Sequence, residues 1–326
     1  MAVATVTRRR VGILPRTRTG RSRLFGYLLL TPALLYIFAL VGVPFLLALY
    51  YSVSNVTTSN LNGGFVGLKN FQDLLHDPAF RQALGNTFIY TVVSIALNTI
   101  LGTFLAFILM SDFFGKRVIR FLILLPWTIP IALTILSWKW MLDSQYSVIN
   151  WLGSWKLPLD PPISFVNWVG QHLNLITGPT GIQWLGQPTT AMASVIIVNV
   201  WRTFPFSAII LLAGLTSIPS EIIDAARLDG AGPFTRYRAI IVPMIAPILF
   251  IGLLFNLVFT ITDLTIVYLL TLGGPAGSTE VLGTYAFKVG INSGDLSHGA
   301  ATTLFLFPVL FVFSIFFLRQ LRKREL

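Results

Sequence analysis

Residues 24–51 read LFGYLLLTPALLYIFALVGVPFLLALYY, a run of 28 residues without one charged side chain. An α-helix needs about 20 apolar residues to cross the hydrocarbon core of a bilayer. Five further uncharged stretches follow, at 82–111, 121–138, 173–201, 239–262 and 299–318. The pattern predicts an all-α integral membrane protein with six transmembrane helices. Their expected positions are 24–51, 86–110, 119–141, 189–215, 240–271 and 299–318.

The composition agrees with a membrane protein and excludes several kinds of chemistry. Hydrophobic residues make up 55% of the 326 positions and charged residues 11%, whereas a soluble domain carries about 25% charged residues. The chain has no cysteine, so it contains neither disulfides nor thiolate metal sites. Its three histidines, His76, His172 and His298, are scattered and show no metal-ligand spacing.

The basic residues predict the orientation of the chain. If the N-terminus is cytoplasmic, 17 of the 23 basic residues fall in segments on the cytoplasmic side. This bias predicts that both termini are cytoplasmic, with a basic tail at 1–23 before a membrane domain at 24–326. The net charge of +11 then reflects topology next to the lipid bilayer, and no nucleic-acid partner is expected. The cytoplasmic set is Arg8, Arg9, Arg10, Arg16, Arg18, Arg21, Arg23, Lys116, Arg117, Arg120, Arg227, Arg236, Arg238, Arg319, Arg322, Lys323 and Arg324.

The cytoplasmic loop 217–238 contains a short charged stretch, EIIDAARLDGAG, at 221–232. Glu221 lies near the positive end of a predicted helix, which Gly230 ends. Asp229 falls in the last turn, where its charge opposes the helix dipole. One face at i, i+3 and i+4 spacing is formed by Ile222, Ala225 and Ala226. The pattern favours a docking helix for another protein, and the alternative is a helix lying on lipid.

Residues 221–247 resemble the EAA loop of ABC-transporter permeases from binding-protein-dependent importers. The matching positions are Asp224-Ala225-Ala226, Gly230 and Ile240-Ile241-Val242-Pro243. The chain departs from the family pattern twice, with Asp224 in place of Glu and Val242 in place of Leu. The stretches LLAGLTSIPSEIIDAARLDGAG, GGPAGSTEVLGTYAF and FVGLKNF resemble the sugar-importing branch of maltose and glycerol-phosphate permeases.

This resemblance implies a type I importer permease in the cell membrane, with a coupling helix seated on a separate ATPase. The implied coupling residues are Glu221, Asp224, Ala225, Ala226, Asp229 and Gly230. The sequence has no G-x-x-x-x-G-K-[ST] phosphate-binding loop, so no cofactor is expected on this chain, and ATP and magnesium belong to the partner. The implied partners are two ATPase subunits, an extracytoplasmic substrate-binding protein and a second permease subunit, with a heterodimer favoured.

Two predicted spans carry polar and aromatic residues on one helical face. Span four carries Asn199, Arg202, Thr203 and Phe206, and span five carries Asn256, Phe259, Thr260 and Asp263. Such residues line a substrate path or hold helices together, and both readings stay open. Amide, hydroxyl and aromatic groups suit a sugar. Arg202 and Asp263 either neutralise each other or, if Arg202 is unpaired, favour an anionic substrate such as a glycerol phosphate; another polyol is also possible.

Two other classes of protein remain as alternatives at this stage. A secondary transporter driven by an ion gradient would be expected to show inverted repeats and broken helices, and the sequence has no convincing repeat. An integral-membrane enzyme would be expected to cluster catalytic groups near one membrane face. The histidines and acids of this chain are not grouped in that way, so a transport permease is the favoured class and no enzyme activity is expected.

Overall fold

The computed structural model describes residues 20–155, 164–173, 175, 177–178 and 181–322. Most of the predicted basic tail, together with Lys156, Lys323 and Arg324, lies outside the described residues. Within this part the α-helices are α1 (Gly20–Ile37), α2 (Val43–Ser52), α3 (Lys69–His76), α4 (Pro78–Met110), α5 (Lys116–Thr128), α6 (Ile131–Met141), α7 (Val148–Leu152), α8 (Phe165–His172), α9 (Pro188–Thr216), α10 (Ser220–Leu228), α11 (Pro233–Arg236), α12 (Val242–Thr262), α13 (Thr265–Leu270), α14 (Leu282–Phe287), α15 (Leu296–Leu304) and α16 (Leu306–Arg322).

Short irregular elements connect these helices. Single π-helical turns occupy Phe38–Gly42, Tyr237–Ile241 and Lys288–Asn292. Two short antiparallel strands, β1 (Thr177–Gly178) and β2 (Gly181–Ile182), pair with each other. The predicted all-α fold is therefore confirmed, with this strand pair as a small addition.

Five helical stretches among the described residues are long and apolar enough to cross a membrane. A sixth candidate is the pair α5 and α6, which meet at a bend of 93°. Pro130 lies at this bend. Because proline disfavours helical geometry in the residue before it and has no N–H to donate, it separates the two helices. Hydropathy alone predicted one continuous helix at 119–141.

The fifth predicted span, 240–271, is also interrupted in the structure. Helix α12 ends at Thr262, and Asp263 has extended backbone geometry before α13 begins at Thr265. The Asp263 carboxylate accepts a hydrogen bond from the Thr265 backbone N–H at 2.7 Å. An apolar run does not reveal such a break, because the break depends on a local side-chain bond rather than on hydropathy.

The described residues divide into two units, one that ends at residue 50 and one that begins at residue 51. In the first unit α1 continues through the π-helical turn Phe38–Gly42 into α2, and apolar side chains are exposed around the whole helix. A helix that is apolar on every side is suited to lipid rather than to water. The stretch Tyr27–Ser52 is accordingly one of the five candidate membrane spans.

In the second unit, α4 and α9 form the most extensive helix–helix interface. Gly102 of α4 permits this approach, because a Cβ atom there would lie 2.9 Å from the Ser207 Cβ of α9. Helices α6 and α13 pack beside this pair through a buried apolar cluster that includes Tyr90, Ile135 and Val198. Helix α12, which carries most of the polar face predicted for span five, packs against both α4 and α9.

The long segment before α9 contains the short helices α7 and α8, followed by the β1–β2 pair. Asn150 of α7 ties these elements together, since its amide donates to the Ile182 carbonyl at 2.9 Å and its carbonyl accepts from Trp184 Nε1 at 2.9 Å. These bonds fix the entry to α9.

Candidate functional site

Residues from three helices and one helix break enclose a cavity of about 340 Å³. Its volume is within the range of about 300–1,000 Å³ found for ligand pockets. The lining residues are Trp127, Asn199, Arg202, Thr203, Phe259, Thr262 and Asp263. The structure thus brings together five of the eight residues predicted for the substrate path, and it adds Trp127 and Thr262.

A partly buried ion pair forms one wall of this cavity. Arg202 Nη1 of α9 lies 3.1 Å from Asp263 Oδ2, with side-chain exposures of 22% and 14%. Asp263 also holds the first residue of α13, so its two oxygens connect α9 to the break between α12 and α13. The Arg202 guanidinium carbon lies 5.5 Å from the centre of the Trp127 ring, within cation–π range.

Aromatic rings form a second wall. Trp127 of α5 stacks on Phe206 of α9 with ring centres 4.9 Å apart and an interplanar angle of 12°. Phe259 of α12 meets the Trp127 ring edge-on at 5.7 Å. Phe206 therefore supports Trp127 from behind, whereas Trp127 and Phe259 face the cavity. The result is an apolar platform beside charged and amide groups.

Asn256 and Thr260 lie away from this cavity, within the interface of α9 and α12. Asn256 Nδ2 donates to Ser207 Oγ at 2.9 Å and to the Gly252 carbonyl at 3.0 Å. Asn199 Nδ2 makes a longer contact of 3.5 Å with Thr260 Oγ1. Both residues are at most 5% exposed. In this conformation the side chains of Asn256 and Thr260 link α12 to α9. Helical periodicity had grouped them on one face with the residues predicted to line the path.

Trp127 was not among the predicted path residues. It lies between Pro126 and Pro130, in the stretch PWTIP that ends α5. The two prolines indicate an interrupted helix. A tryptophan at such an interruption within a membrane segment is the sequence signal that could have placed Trp127 in the candidate site. Its contact with α9 and α12 required the tertiary structure, because these helices are distant in sequence.

The predicted docking helix is α10. Asp224 and Arg227 form a surface ion pair at 2.9 Å, and both side chains are more than 60% exposed. Such exposed pairs contribute little to stability, typically about 0–1 kcal/mol. Ile222 and Ala225 are exposed, whereas Ala226 is buried. The three residues therefore do not share one outward face as the sequence suggested, because Ala226 turns toward the protein with Ile223.

The end of α10 is a well-defined helix stop. Gly230 adopts φ +75°, the Ala231 N–H donates to the Ala226 carbonyl, and the Gly230 N–H donates to the Arg227 carbonyl. This is the Schellman arrangement, which satisfies the last carbonyls of a helix. It confirms the predicted left-handed stop at Gly230. Asp229 caps the helix and is exposed beside Leu228, whose side chain is 90% exposed.

The structure combines apolar spans with a polar cavity between helices and an exposed acidic helix in one loop. These features together define a multi-pass membrane transport protein. A family model described as binding-protein-dependent transport system inner membrane component matches residues 98–324. This match covers more than half of the chain, and the chain belongs to that family of ABC importer permeases. Membership decides against the ion-gradient transporter and the membrane enzyme.

Individual relatives extend over almost the whole chain. The trehalose/maltose transport system permease protein MalF of Thermococcus litoralis is 31% identical over 305 residues, covering 94% of this chain and 96% of that protein. The sulfoquinovosyl glycerol transport system permease protein SmoG of Agrobacterium fabrum is 28% identical, covering 93% and 92%. A chain of a bacterial ABC transporter that imports alginate shares the fold, with TM-score 0.72 at 20% identity, covering 94% and 97%.

Proposed function

We propose that this chain lines the translocation path of an importer for a sugar or oligosaccharide. The carrying observation is the 340 Å³ cavity, whose walls combine the rings of Trp127 and Phe259 with the amide of Asn199 and the hydroxyls of Thr203 and Thr262. Ring faces suit the apolar C–H faces of a sugar, and the amide and hydroxyls suit its hydroxyl groups. The names of the relatives, which include trehalose/maltose and sulfoquinovosyl glycerol transport, support a carbohydrate substrate.

The ion pair in the cavity favours an uncharged sugar. Because Asp263 already neutralises Arg202, a neutral ligand adds no unpaired charge to a partly buried site. A second candidate is a glycerol phosphate or other polyol. It is favoured by Arg202 Nε, which is buried without a hydrogen-bond partner among the described residues and leaves a donor for an anionic group. Polyols without charge would use the amide and hydroxyls.

Coupling to ATP hydrolysis is assigned to α10 in the same proposal. Its exposed surface combines Glu221, Asp224 and Asp229 with the apolar side chains of Ile222 and Leu228. Exposed apolar side chains next to acidic ones are suited to a protein cleft rather than to anionic lipid. The ATP and magnesium sites then lie on two separate ATPase subunits, and an extracytoplasmic binding protein delivers the sugar.

The proposed topology has six spans, with α5 and α6 together as the third. Both termini are then cytoplasmic, residues 24–326 form the membrane domain, and the coupling loop is 217–238. A second permease chain completes the pore as a heterodimer. The support is the charge bias of the sequence and the set of five helical spans plus one bent pair.

The test is reconstitution of the assembled complex with its cognate ATPase and binding protein in proteoliposomes. The probes are trehalose, maltose, glycerol and glycerol 3-phosphate, with ATP hydrolysis and uptake measured for each. We expect stimulation and uptake with a neutral sugar. Stimulation by glycerol 3-phosphate or glycerol alone would move the assignment to the second candidate, and ATP-independent uptake would contradict the coupling scheme.

A further inference from the structure

Helix α4 contains a row of buried polar side chains that lack hydrogen-bond partners. The polar atoms are Tyr90 Oη, Thr91 Oγ1, Ser94 Oγ and Asn98 Nδ2, and none of them has a partner among the described residues. All four residues are at most 4% exposed. An unpaired buried polar group costs about 1–3 kcal/mol. Four such groups on two turns of one helix point to a ligand or to another conformation in which they are paired.

The row lies directly behind the cavity. Thr203 Oγ1 lies 3.1 Å from Asn98 Oδ1, and Gly102 approaches Ser207, so positions 105 apart in sequence are level on α4 and α9. One turn earlier this register places Ser94 level with Asn199. Both Asn199 and Thr203 line the cavity. The side chains of α4 are therefore separated from the cavity by one layer of α9 residues.

The interface between these helices changes in character along its length. At Gly102 the two backbones are in close contact, with no side chain from α4 between them. Toward Tyr90 the buried face contains the hydroxyls of Tyr90 and Ser94, which gain no bond from the contact. Tyr90 itself packs in the cluster that joins α4 to α6, α9 and α13. The helices can thus separate at the Tyr90 end without losing side-chain hydrogen bonds from Tyr90 or Ser94, while Gly102 remains the close contact.

The ion pair lies on the same stretch of α9 that contacts Asn98 of α4, since Arg202 precedes Thr203. Asp263 lies in the break between α12 and α13 and holds Arg202 of α9. Helix breaks of this kind absorb the backbone rotations of conformational changes. Thr134 Oγ1 of α6 and Arg202 Nε are also buried without partners among the described residues, which extends the set of unpaired groups to the neighbouring helices.

We propose that Tyr90, Ser94 and Asn98 form a second polar wall of the substrate path, covered by α9 in this conformation and exposed to the path in another state of the transport cycle. The inference rests on the proposed function, in which the cavity belongs to that path. The unused groups are two hydroxyls and one amide N–H, which match the hydroxyls of a carbohydrate. A sugar passing this level would pair the groups that are now unpaired.

Accessibility of single cysteines tests the proposal without knowledge of the substrate. The chain has no cysteine of its own, and Ser94→Cys changes one atom type. The assembled complex is treated with a small hydrophilic methanethiosulfonate reagent, without nucleotide and after trapping with ATP and vanadate, and labelling of this chain is read by mass. Thr262→Cys is the cavity control, and Ala106→Cys, fully buried on the same face of α4, is the buried control.

We expect Ser94→Cys to react at least about tenfold faster than Ala106→Cys in one of the two states, since a permanently buried thiol reacts only through rare local opening. The second wall would be wrong if Ser94→Cys and Ala106→Cys react equally slowly in both states while Thr262→Cys reacts. That result would leave the cavity assignment intact. Slow reaction of Ser94→Cys and Thr262→Cys alike would remove the proposed path, and with it the second wall.

Substitutions that delete only the unpaired atoms give a second measurement. Tyr90→Phe and Ser94→Ala remove hydroxyls that make no bond in this conformation, so thermal stability and complex assembly should be unchanged or improved. Uptake of the neutral sugar that the wild-type complex transports should fall several-fold. Thr87→Val is the matched control on α4, because its hydroxyl bonds the Ala83 carbonyl and the Leu282 N–H and its loss should lower stability. Wild-type uptake in both Tyr90→Phe and Ser94→Ala would contradict the proposal.

Discussion

Arg202 Nη1 lies 3.1 Å from Asp263 Oδ2, and this pair joins α9 to the point where α12 and α13 are separated. The sequence placed both residues on predicted path faces without showing whether they met. In the structure they form one wall of the cavity, so their charges must be considered together. Removing one partner leaves the other charge partly buried and unpaired.

The first prediction concerns this pair. Arg202→Met and Asp263→Leu, made singly, should each lower uptake and complex stability, because each strands a charge in a low-dielectric environment. Breaking a buried pair costs about 3–5 kcal/mol, and these side chains are only partly buried, so a smaller loss is expected. The double variant should recover stability. Recovery of uptake as well would show a structural pair and a neutral substrate, whereas a stable but inactive double variant would place at least one of the two on the substrate.

The second prediction concerns Trp127. Trp127→Ala should reduce uptake several-fold per assembled complex, because it removes the platform that Phe206 supports and that faces the cavity. Trp127→Phe should retain part of the uptake, since a smaller ring keeps some stacking. Trp140→Ala is the control, as that ring on α6 is 63% exposed. The platform role is wrong if uptake per complex is equal in Trp127→Ala and wild type.

The third prediction separates helix linkage from substrate contact at Asn256. Because its amide bonds Ser207 and the Gly252 carbonyl, Asn256→Ala should lower the free energy of unfolding by about 1–3 kcal/mol. Uptake should then follow the amount of surviving complex, as measured by size-exclusion chromatography and thermal unfolding. Thr262→Val, at the cavity, should lower uptake per complex and leave the free energy of unfolding nearly unchanged. If Asn256→Ala has normal stability but has lost uptake, Asn256 contacts the substrate and the linking role is wrong.

The fourth prediction concerns the coupling helix. Asp224→Lys reverses a charge on the exposed surface of α10, and Gly230→Val strains a position at φ +75° by about 1–2 kcal/mol. Both should reduce ATP hydrolysis stimulated by the binding protein while membrane insertion stays normal. Asp112→Lys is the matched charge reversal, because Asp112 is likewise an exposed acid in an ion pair, here with Lys116. Full stimulation in both α10 variants would exclude α10 as the coupling element.

The fifth prediction is topological. A cysteine at Ser220, the first residue of α10, should react with a membrane-impermeant reagent only from the cytoplasm. A cysteine at Ser164, which caps α8, should react only from outside. The absence of native cysteine makes both signals specific. Because α9 lies between the two positions, reaction of both from the same side, or the reverse pattern, would contradict the six-span topology.

The membrane character, the set of apolar helices and the short loop helix that ends at Gly230 were predictable from sequence. Each depends on local information, since an uncharged run of 28 residues or a glycine at a helix end has the same physical consequence in any fold. The stop at Gly230 is an example, because only its own backbone conformation is required. The faces of α9 and α12 were likewise read from helical periodicity.

The division of those faces was decided by the tertiary structure alone. Periodicity put Asn256 and Asp263 on one stripe, but Asn256 bonds Ser207, whereas Asp263 pairs with Arg202 in one wall of the cavity. Trp127 lines the cavity at the end of α5, next to the bend between α5 and α6. The polar atoms of the row on α4 could be recognised as unpaired only once the packing of α9 against α4 was known. Which polar group pairs, which faces a cavity and which stays unsatisfied depends on contacts between residues far apart in sequence, and a single helix does not specify them.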